Sequence, residues 1–342
     1  MAFDKMIVKK LLKKFDDVPF VVKFPDGEEF KVGEGEPQAI IRANGGIDMG
    51  AVMKSPSLAL GEAYMDKTLE LEKGDLFEIL NMVLAKLEDF ASDFSGLTKI
   101  MKTSTSKKNQ KQEIATHYDI GNEFFELWLD ETMSYSCGYF KHETDTLYDA
   151  QVNKVEHILK KLNLKEGQTL LDIGCGWGYL LIAAAKKYHV KGVGITLSEE
   201  QYKKGQERIK AEGLEGQVEI RLMDYRDLEK SGMTFDRIVS VGMLEHVSRD
   251  NYPLFFKNID KVLNKKGIVL LHYISGRQEH DGDPWIKKYI FPGGIIPSLR
   301  EIIYLIGEYN YYTLDVETLA QVQADNQAKR DAAAEQLHQA ES

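Results

Sequence analysis

The chain is poor in cysteine, lacks a long apolar run and carries no excess of positive charge, and each shortage removes a class of function. Its 342 residues hold only two cysteines, Cys137 and Cys175. That is too few for a disulfide framework or a multi-cysteine metal site, so no metal is expected and a reduced, cytosolic setting fits. No uninterrupted apolar stretch approaches the roughly 18 residues that cross a bilayer. The opening MAFDKMIVKKLLKKF interleaves lysine with apolar residues and has no signal-peptide core. A formal net charge of −10 argues against a general nucleic-acid binder. No GxxxxGK[ST] stretch occurs, which argues against a P-loop. What is present is core material: 43% of residues are hydrophobic and 10% aromatic, enough for about two domains at roughly 100–200 residues each.

Along the chain the pattern changes several times. In residues 1–15, Lys9, Lys10, Lys13 and Lys14 interleave with Val8, Leu11, Leu12 and Phe15. This spacing gives a helix with one basic and one apolar face. Such a helix suits a membrane surface, or a first helix packed on its own domain with solvated lysines. Residues 19–41 read as strands, with Pro25-Asp26-Gly27 as a turn. Residues 57–90 read as helices with an extended piece near Leu69. TKIMKTSTSKKNQKQ (98–112) has five lysines and no acid, the signature of a linker. Beyond it, Val152, Val155, Leu159 and Leu162 stand at helical spacing. Five apolar runs then alternate with helices: TLLDI (169–173), VKGVGI (190–195), VEIRL (218–222), RIVSVG (237–242) and GIVLLHYI (267–274). The expected architecture is α/β, a mostly parallel Rossmann-like sheet behind a smaller N-terminal α+β domain. From Ala320 to Ser342 the chain holds seven Ala and five Gln and no aromatic, which reads as an exposed helix. The expected division is therefore 1–97, a linker 98–112, a sheet-bearing stretch 113–319 and a tail 320–342.

Ligands of such sheets sit outside the carboxyl ends of the strands. The first run ends in Gly174-Cys175-Gly176-Trp177-Gly178, glycines that let backbone approach a ligand. With Asp172 before it, this GxGxG resembles the S-adenosylmethionine (SAM) loop of class I methyltransferases. The second run ends at Thr196, where dinucleotide folds place an acid for ribose hydroxyls, so a dehydrogenase is disfavoured. Ser198-x-x-Gln201 also reads as a helix capping box. After the third run, Met223-Asp224-Tyr225-Arg226 offers a polar-aromatic pair that suits an adenine; the plain alternative is a turn with an exposed tyrosine.

LLDIGCGWG, GITLSEEQ, His117-Tyr118-Asp119, Tyr135-Ser136-Cys137-Gly138-Tyr139-Phe140, Met243-Leu244-Glu245-His246 and Leu271-His272-Tyr273-Ile274 stand in one order. Together they resemble the cyclopropane fatty acid synthases and the related mycolic acid cyclopropane synthases, over about residues 113–319. The upstream region resembles the N-terminal domain of the phospholipid-acting members. The resemblance implies transfer of a methylene from SAM across a cis double bond of an acyl chain in a membrane phospholipid. It implies a SAM site at Tyr135, Ser136, the Gly174–Gly178 loop with Cys175 and Trp177, Thr196, Leu197, Gln201, Tyr225 and Arg226. It also implies a bicarbonate ion as base, held by backbone groups of Cys137 and Ile274 and side chains of Glu245 and His272. A homodimer, peripheral to the inner face of the membrane, is implied as well.

The chemistry asks for such groups. Methyl transfer to an alkene leaves a carbocation, and ring closure then needs a base within hydrogen-bond reach and the exclusion of water. His272 and Glu245 stand at strand ends where they suit a small anion; the plain alternatives are a half-buried histidine and a helix-start acid. Cys137 is not expected to act as a nucleophile, since no base stands beside it in the sequence. WIKKYIFPGGIIPS (285–298) mixes aromatics with lysines and suits a membrane interface or a core-packing insertion. The tail departs from the family pattern: no tyrosine follows Tyr312, so the family's bicarbonate-holding tyrosine has no counterpart. Two other functions fit parts of the sequence. One is a SAM methyltransferase of a soluble small molecule. The other is a lipid-binding relative with impaired catalysis.

Overall fold

The structure is a computed structural model that describes residues 2–15, 18–46, 48–81, 121–279, 281–291 and 294–318. The expected linker at 98–112 and the tail from Ala320 lie outside the described residues. The chain forms two compact units, Met1–Lys102 with Asp283–Tyr289, and Thr103–Gly282 with Ile290–Ser342.

In the first unit, β1 (Phe20–Lys23) and β2 (Glu29–Val32) form an antiparallel hairpin. Its turn is closed by Gly27 N–H donating to Phe24 O at 2.9 Å, with Gly27 at φ +84°, a conformation that glycine adopts without penalty. β3 (Ala39–Ala43) pairs parallel to β1, and β4 (Leu69–Lys73) antiparallel to β3, so the order is β2-β1-β3-β4. Phe20, Val22, Val32 and Ala39 form the core, with Leu12 and Phe15 packed against it. The helix α1 (Ala2–Leu12) therefore belongs to its own unit. Its Lys5 pairs with Asp26 and Glu28 at 2.5 and 2.6 Å, and Lys9 pairs with Glu28. Lys10 and Lys13 stay exposed. α2 (Met49–Lys54), capped by Asp48, and α3 (Pro56–Met65) complete the segment before β4.

In the second unit, α4 (Asn122–Glu126) and α5 (Leu147–Lys161) precede the sheet. Thr146 caps α5 through a reciprocal capping box with Asp149, which satisfies orphan donors at the helix start. The buried face of α5 carries Gln151, Lys154, Val155, Ile158 and Leu159, while Val152 is only half-buried. The stripe is thus turned from the expected one, and it admits two polar side chains. Then β5 (Thr169–Ile173), α6 (Tyr179–Tyr188), β6 (Lys191–Thr196), α7 (Glu199–Ala211), β7 (Val218–Leu222), β8 (Phe235–Val241), α8 (Tyr252–Val262) and β9 (Leu263–His272) follow. All pairs are parallel, in the order β7-β6-β5-β8-β9. Apolar clusters containing Leu170, Leu181 and Ile220, and Leu171, Ile238 and Phe255, fill the core. This is why the strands read as nearly continuous apolar runs. The order reverses between β6–β5 and β5–β8, so the carboxyl end of β5 faces the crevice where such sheets take ligands.

After β9 the chain forms α9 (Pro284–Tyr289) before α10 (Leu299–Gly307). α9 is part of the first unit. The Trp285 ring lies against Gly61 of α3, where a Cβ would come within 2.4 Å of Trp285 Cδ1. Glu62 accepts from Tyr289 OH at 2.8 Å and pairs with Lys288. The first unit is therefore discontinuous in sequence, because the α3 side chains recruit a helix from far downstream.

Candidate active site

The loop after β5 turns on glycine. Gly174, Gly176 and Gly178 have φ of +81°, +54° and +82°, and a Cβ on Gly174 would meet Met243 Cγ at 2.8 Å. The N–H groups of Gly174 and Cys175 both donate to Ile195 O, which pins the loop to the end of β6. Cys175 is buried, its thiol raised well above the ordinary value by burial, so it is inert. Asp172 is 3% exposed. Burial raises its carboxyl to about 7, and its Oδ1 has no hydrogen-bond partner among the described residues.

At the end of β6, Thr196 Oγ1 donates to Gln201 Oε1 at 2.7 Å. Ser198 Oγ accepts from Gln201 N at 3.2 Å. Only half of the expected capping box forms, because the Gln201 side chain turns to Thr196. Beyond β7, Asp224 holds the Arg226 guanidinium at 2.5 and 2.9 Å. Tyr225 is buried, not exposed. It packs edge-on to Phe255 at 5.4 Å, its hydroxyl has no partner among the described residues, and burial raises it to about 12. Trp177 is buried as well, and its Nε1 donates to Asn122 Oδ1 at 2.7 Å.

Tyr135, Ser136, Asp172, Gly174, Cys175, Gly176, Trp177, Thr196, Leu197, Gln201, Tyr225 and Arg226 all line one cavity; Gly178 does not. Sequence reasoning missed Lys154, which lines the same cavity. The available signal was Gln151 and Lys154, polar residues three apart on the buried face of α5. Gln151 Nε2 donates to Ser136 O at 2.8 Å and Ser134 O at 3.2 Å. The Tyr135 ring lies 5.7 Å from Phe125, 5.1 Å from Trp128 and 6.3 Å from Phe291. His246, also part of the lining, packs edge-on to Phe291 at 5.4 Å. These rings pack behind the lining at Tyr135 and His246; Phe125, Trp128 and Phe291 are not themselves part of it.

Cys137, Glu245, His272 and Ile274 lie outside that lining and are tied to one another in pairs. Cys137 Sγ is 3.4 Å from His272 Nε2, so the structure supplies the histidine that the local sequence did not. Glu245 is 7% exposed, and its Oε1 accepts from Ile274 N at 2.7 Å. Burial raises the Glu245 carboxyl. Burial, and then the charge of Lys154, hold His272 down to about 4. Glu245 Oε2 and His272 Nδ1 are buried and have no partner among the described residues. Two orphaned polar atoms of this kind carry a desolvation cost that a small polar ligand would relieve. They fit a bicarbonate ion, as the orphaned Asp172 and Tyr225 atoms and the open glycine loop fit SAM. The N–H of Ile274 is already taken by Glu245, which makes it an orienting group for that carboxyl.

A parallel sheet in this order, with a glycine loop after its first strand and a cavity across the strand ends, is the fold of class I SAM-dependent methyltransferases. Comparison with known proteins narrows the class. The sequence profile of the mycolic acid cyclopropane synthetase family matches residues 105–340, and that of a domain of unknown function (DUF7884) matches residues 7–95. The chain is 43% identical over 274 residues to the cyclopropane-fatty-acyl-phospholipid synthase of Escherichia coli K12, covering 78% of this chain and 69% of that one. It superposes on the cyclopropane synthase MmaA2 from Mycobacterium tuberculosis with a TM-score of 0.58, at 31% identity over 66% of this chain and 82% of that one. A mycolic acid cyclopropane synthase complexed with SAH and CTAB superposes with a TM-score of 0.57, at 34% identity over 63% and 80%. The chain belongs to the mycolic acid cyclopropane synthetase family, and it is a SAM-dependent methylene transferase.

Proposed function

We propose that the protein adds a methylene group across the cis double bond of an unsaturated phospholipid acyl chain, forming a cyclopropane, with bound bicarbonate as the base. The observation that carries this reading is the pair of buried atoms without a partner among the described residues, Glu245 Oε2 and His272 Nδ1. SAM supplies the carbon as an electrophilic methyl on its sulfonium. A bound bicarbonate supplies a base next to the developing cation. Asp172, Tyr135, Ser136, Gln201 and Tyr225 hold and orient the cosubstrate. Glu245 and His272, with the Cys137 backbone, hold the anion. His272 is uncharged, and with Nε2 accepting the Cys137 thiol hydrogen its own hydrogen sits on Nδ1 as a donor. Glu245 Oε2, without a partner among the described residues, accepts from the O–H of bicarbonate. The rings of Tyr135, Phe125, Trp128 and Phe291 exclude water, which would trap the cation.

We assign the protein to the inner face of the membrane as a peripheral homodimer in the cytoplasm. No helix among the described residues is long and apolar enough to cross a bilayer. Lys10 and Lys13 remain exposed for anionic head groups. The test is incubation with SAM, bicarbonate and liposomes of cis-unsaturated phospholipid, followed by mass spectrometry of the fatty acids. The expected result is a gain of one CH₂ with loss of the alkene. An unchanged acyl mass in a sample that binds SAM by calorimetry would overturn the phospholipid reading.

A further inference from the structure

Lys154 is a buried cation that the chemistry above does not use. It is 3% exposed, and no carboxylate among the described residues pairs with it. Its Nζ donates to Ser136 Oγ at 2.6 Å and to Gln151 Oε1 at 2.5 Å. Gln151 in turn holds the carbonyls of Ser134 and Ser136. One helical face thus grips the Ser134–Ser136 stretch from side chain and backbone together, and Cys137 is the next residue. An ammonium has three donors, and two are engaged here. A lone buried ammonium costs several kcal/mol unless an anion joins it, and two neutral oxygens do not cancel its charge. The charge is felt by the anion subsite. It lowers the Cys137 thiol against the effect of burial, and it adds to the depression of His272.

We propose that Lys154 is a positioning residue of the anion subsite. Its ammonium locks the Tyr135–Cys137 wall through Ser136 and Gln151, and it is the fixed positive charge that draws bicarbonate to Glu245 and His272. This rests on the bicarbonate reading above. It accounts for a lysine on a core-facing helix stripe, where a methionine of similar length would pack without desolvation cost. Burial holds the Lys154 amine at about 8, so it is mostly charged at neutral pH and ready to respond to a bound anion.

The test compares wild type with Lys154→Met, Lys154→Gln and Lys154→Arg in the full chain. Bicarbonate and SAM binding are each measured by sealed-cell calorimetry. Cys137 alkylation by iodoacetamide is followed against pH; the groups facing that thiol are His272, Lys154 and Glu245. Loss of charge in Met and Gln should weaken bicarbonate about tenfold or more, and more than it weakens SAM, since a buried charge is only weakly screened. The alkylation midpoint should move to higher pH in both. Lys154→Arg keeps the charge and should recover most of the bicarbonate affinity. Lys154→Gln retains hydrogen-bonding capacity, so it separates loss of charge from collapse of the wall if Lys154→Met folds poorly. Wild-type bicarbonate affinity in both neutral variants, or an unmoved Cys137 midpoint, would overturn the inference alone. A wild-type chain that takes up no bicarbonate would overturn the base reading, and this inference with it.

Discussion

Cys137 Sγ and His272 Nε2 lie 3.4 Å apart, yet they are not a thiolate–imidazolium pair. Burial raises the thiol and lowers the imidazole, so both stay neutral, opposite to what a cysteine nucleophile needs. The His272 ring should therefore keep one protonation state from pH 5.5 to 8 in a histidine-selective NMR titration, and titrate near 4. The unfolded chain binds a proton below about 6.5 that the folded chain refuses down to about 4. His272 thus contributes stability that is present above 6.5 and is lost as pH falls towards 4. A His272 resonance that titrates at its ordinary value would overturn this account.

Glu245→Gln and His272→Gln should keep SAM binding and lose turnover, by about 10²-fold or more if each helps to hold the base. Glutamine at 245 still accepts from Ile274 N, so the local fold is preserved. Bicarbonate binding separates this reading from a general loss of structure: it should weaken in both variants, while the melting temperature changes little. Normal turnover in both would show that the base sits elsewhere.

Asp172 makes the opposite pH statement to His272. Its carboxyl is held at about 7 by burial. The folded state keeps a proton that the unfolded state releases near 3.8, so the associated stability is present at low pH and lost as pH rises to 7. Asp172→Asn removes the dependence. The variant should melt several degrees higher than wild type at pH 8, with little difference at pH 4, while its SAM affinity falls. Equal melting shifts at both pH values would count against a proton held in the fold.

Much of the fold was legible because buried parallel strands are short, nearly uniform apolar runs. TLLDI and VEIRL coincide with β5 and β7. β9 begins four residues before the apolar run that marked it, at Leu263 rather than Gly267, because polar Asn264, Lys265 and Lys266 extend it across an irregular pairing with β8. What stayed hidden depends on contacts distant in sequence. Cys137 and His272 are 135 residues apart, and no local signal pairs them. Gln151 and Lys154 stay hidden because a helix stripe read by hydrophobicity skips polar residues that tertiary structure buries. The 285–298 segment, whose aromatics suit a membrane interface or a core-packing insertion, is largely engaged by protein. Trp285 sits on Gly61, Phe291 on Tyr135, and Ile295 is buried.

The N-terminal helix divides its lysines between two tasks. Lys5 and Lys9 are tied to Asp26 and Glu28, with Lys5 4.6 Å from the Phe24 ring centre, and they hold α1 to its sheet. Lys10 and Lys13 face outward. At about 1 kcal/mol per basic residue near an anionic surface, Lys10→Glu with Lys13→Glu should weaken co-sedimentation with anionic vesicles about tenfold without lowering the melting temperature. Lys5→Ala with Lys9→Ala should do the reverse. Unchanged sedimentation of the charge-reversed protein would remove α1 from the membrane surface.

Gly61 and Trp285 are separated by most of the chain, and their contact leaves no room for a side chain. A Cβ at Gly61 would come within 2.4 Å of Trp285 Cδ1 and 2.6 Å of Nε1. In an isolated helix, Gly→Ala would help by about 1 kcal/mol. Here overpacking of about 1–3 kcal/mol opposes that gain, so Gly61→Ala should lower the melting temperature. Trp285→Ala removes the obstacle, and in that background Gly61→Ala should become neutral or stabilising. The sign change is the diagnostic, since it requires direct coupling between the two positions. Thermal melts of the four proteins in a double-mutant cycle measure it. Equal destabilisation in both backgrounds would mean that Gly61 is needed by α3 itself and not by the ring that lies on it.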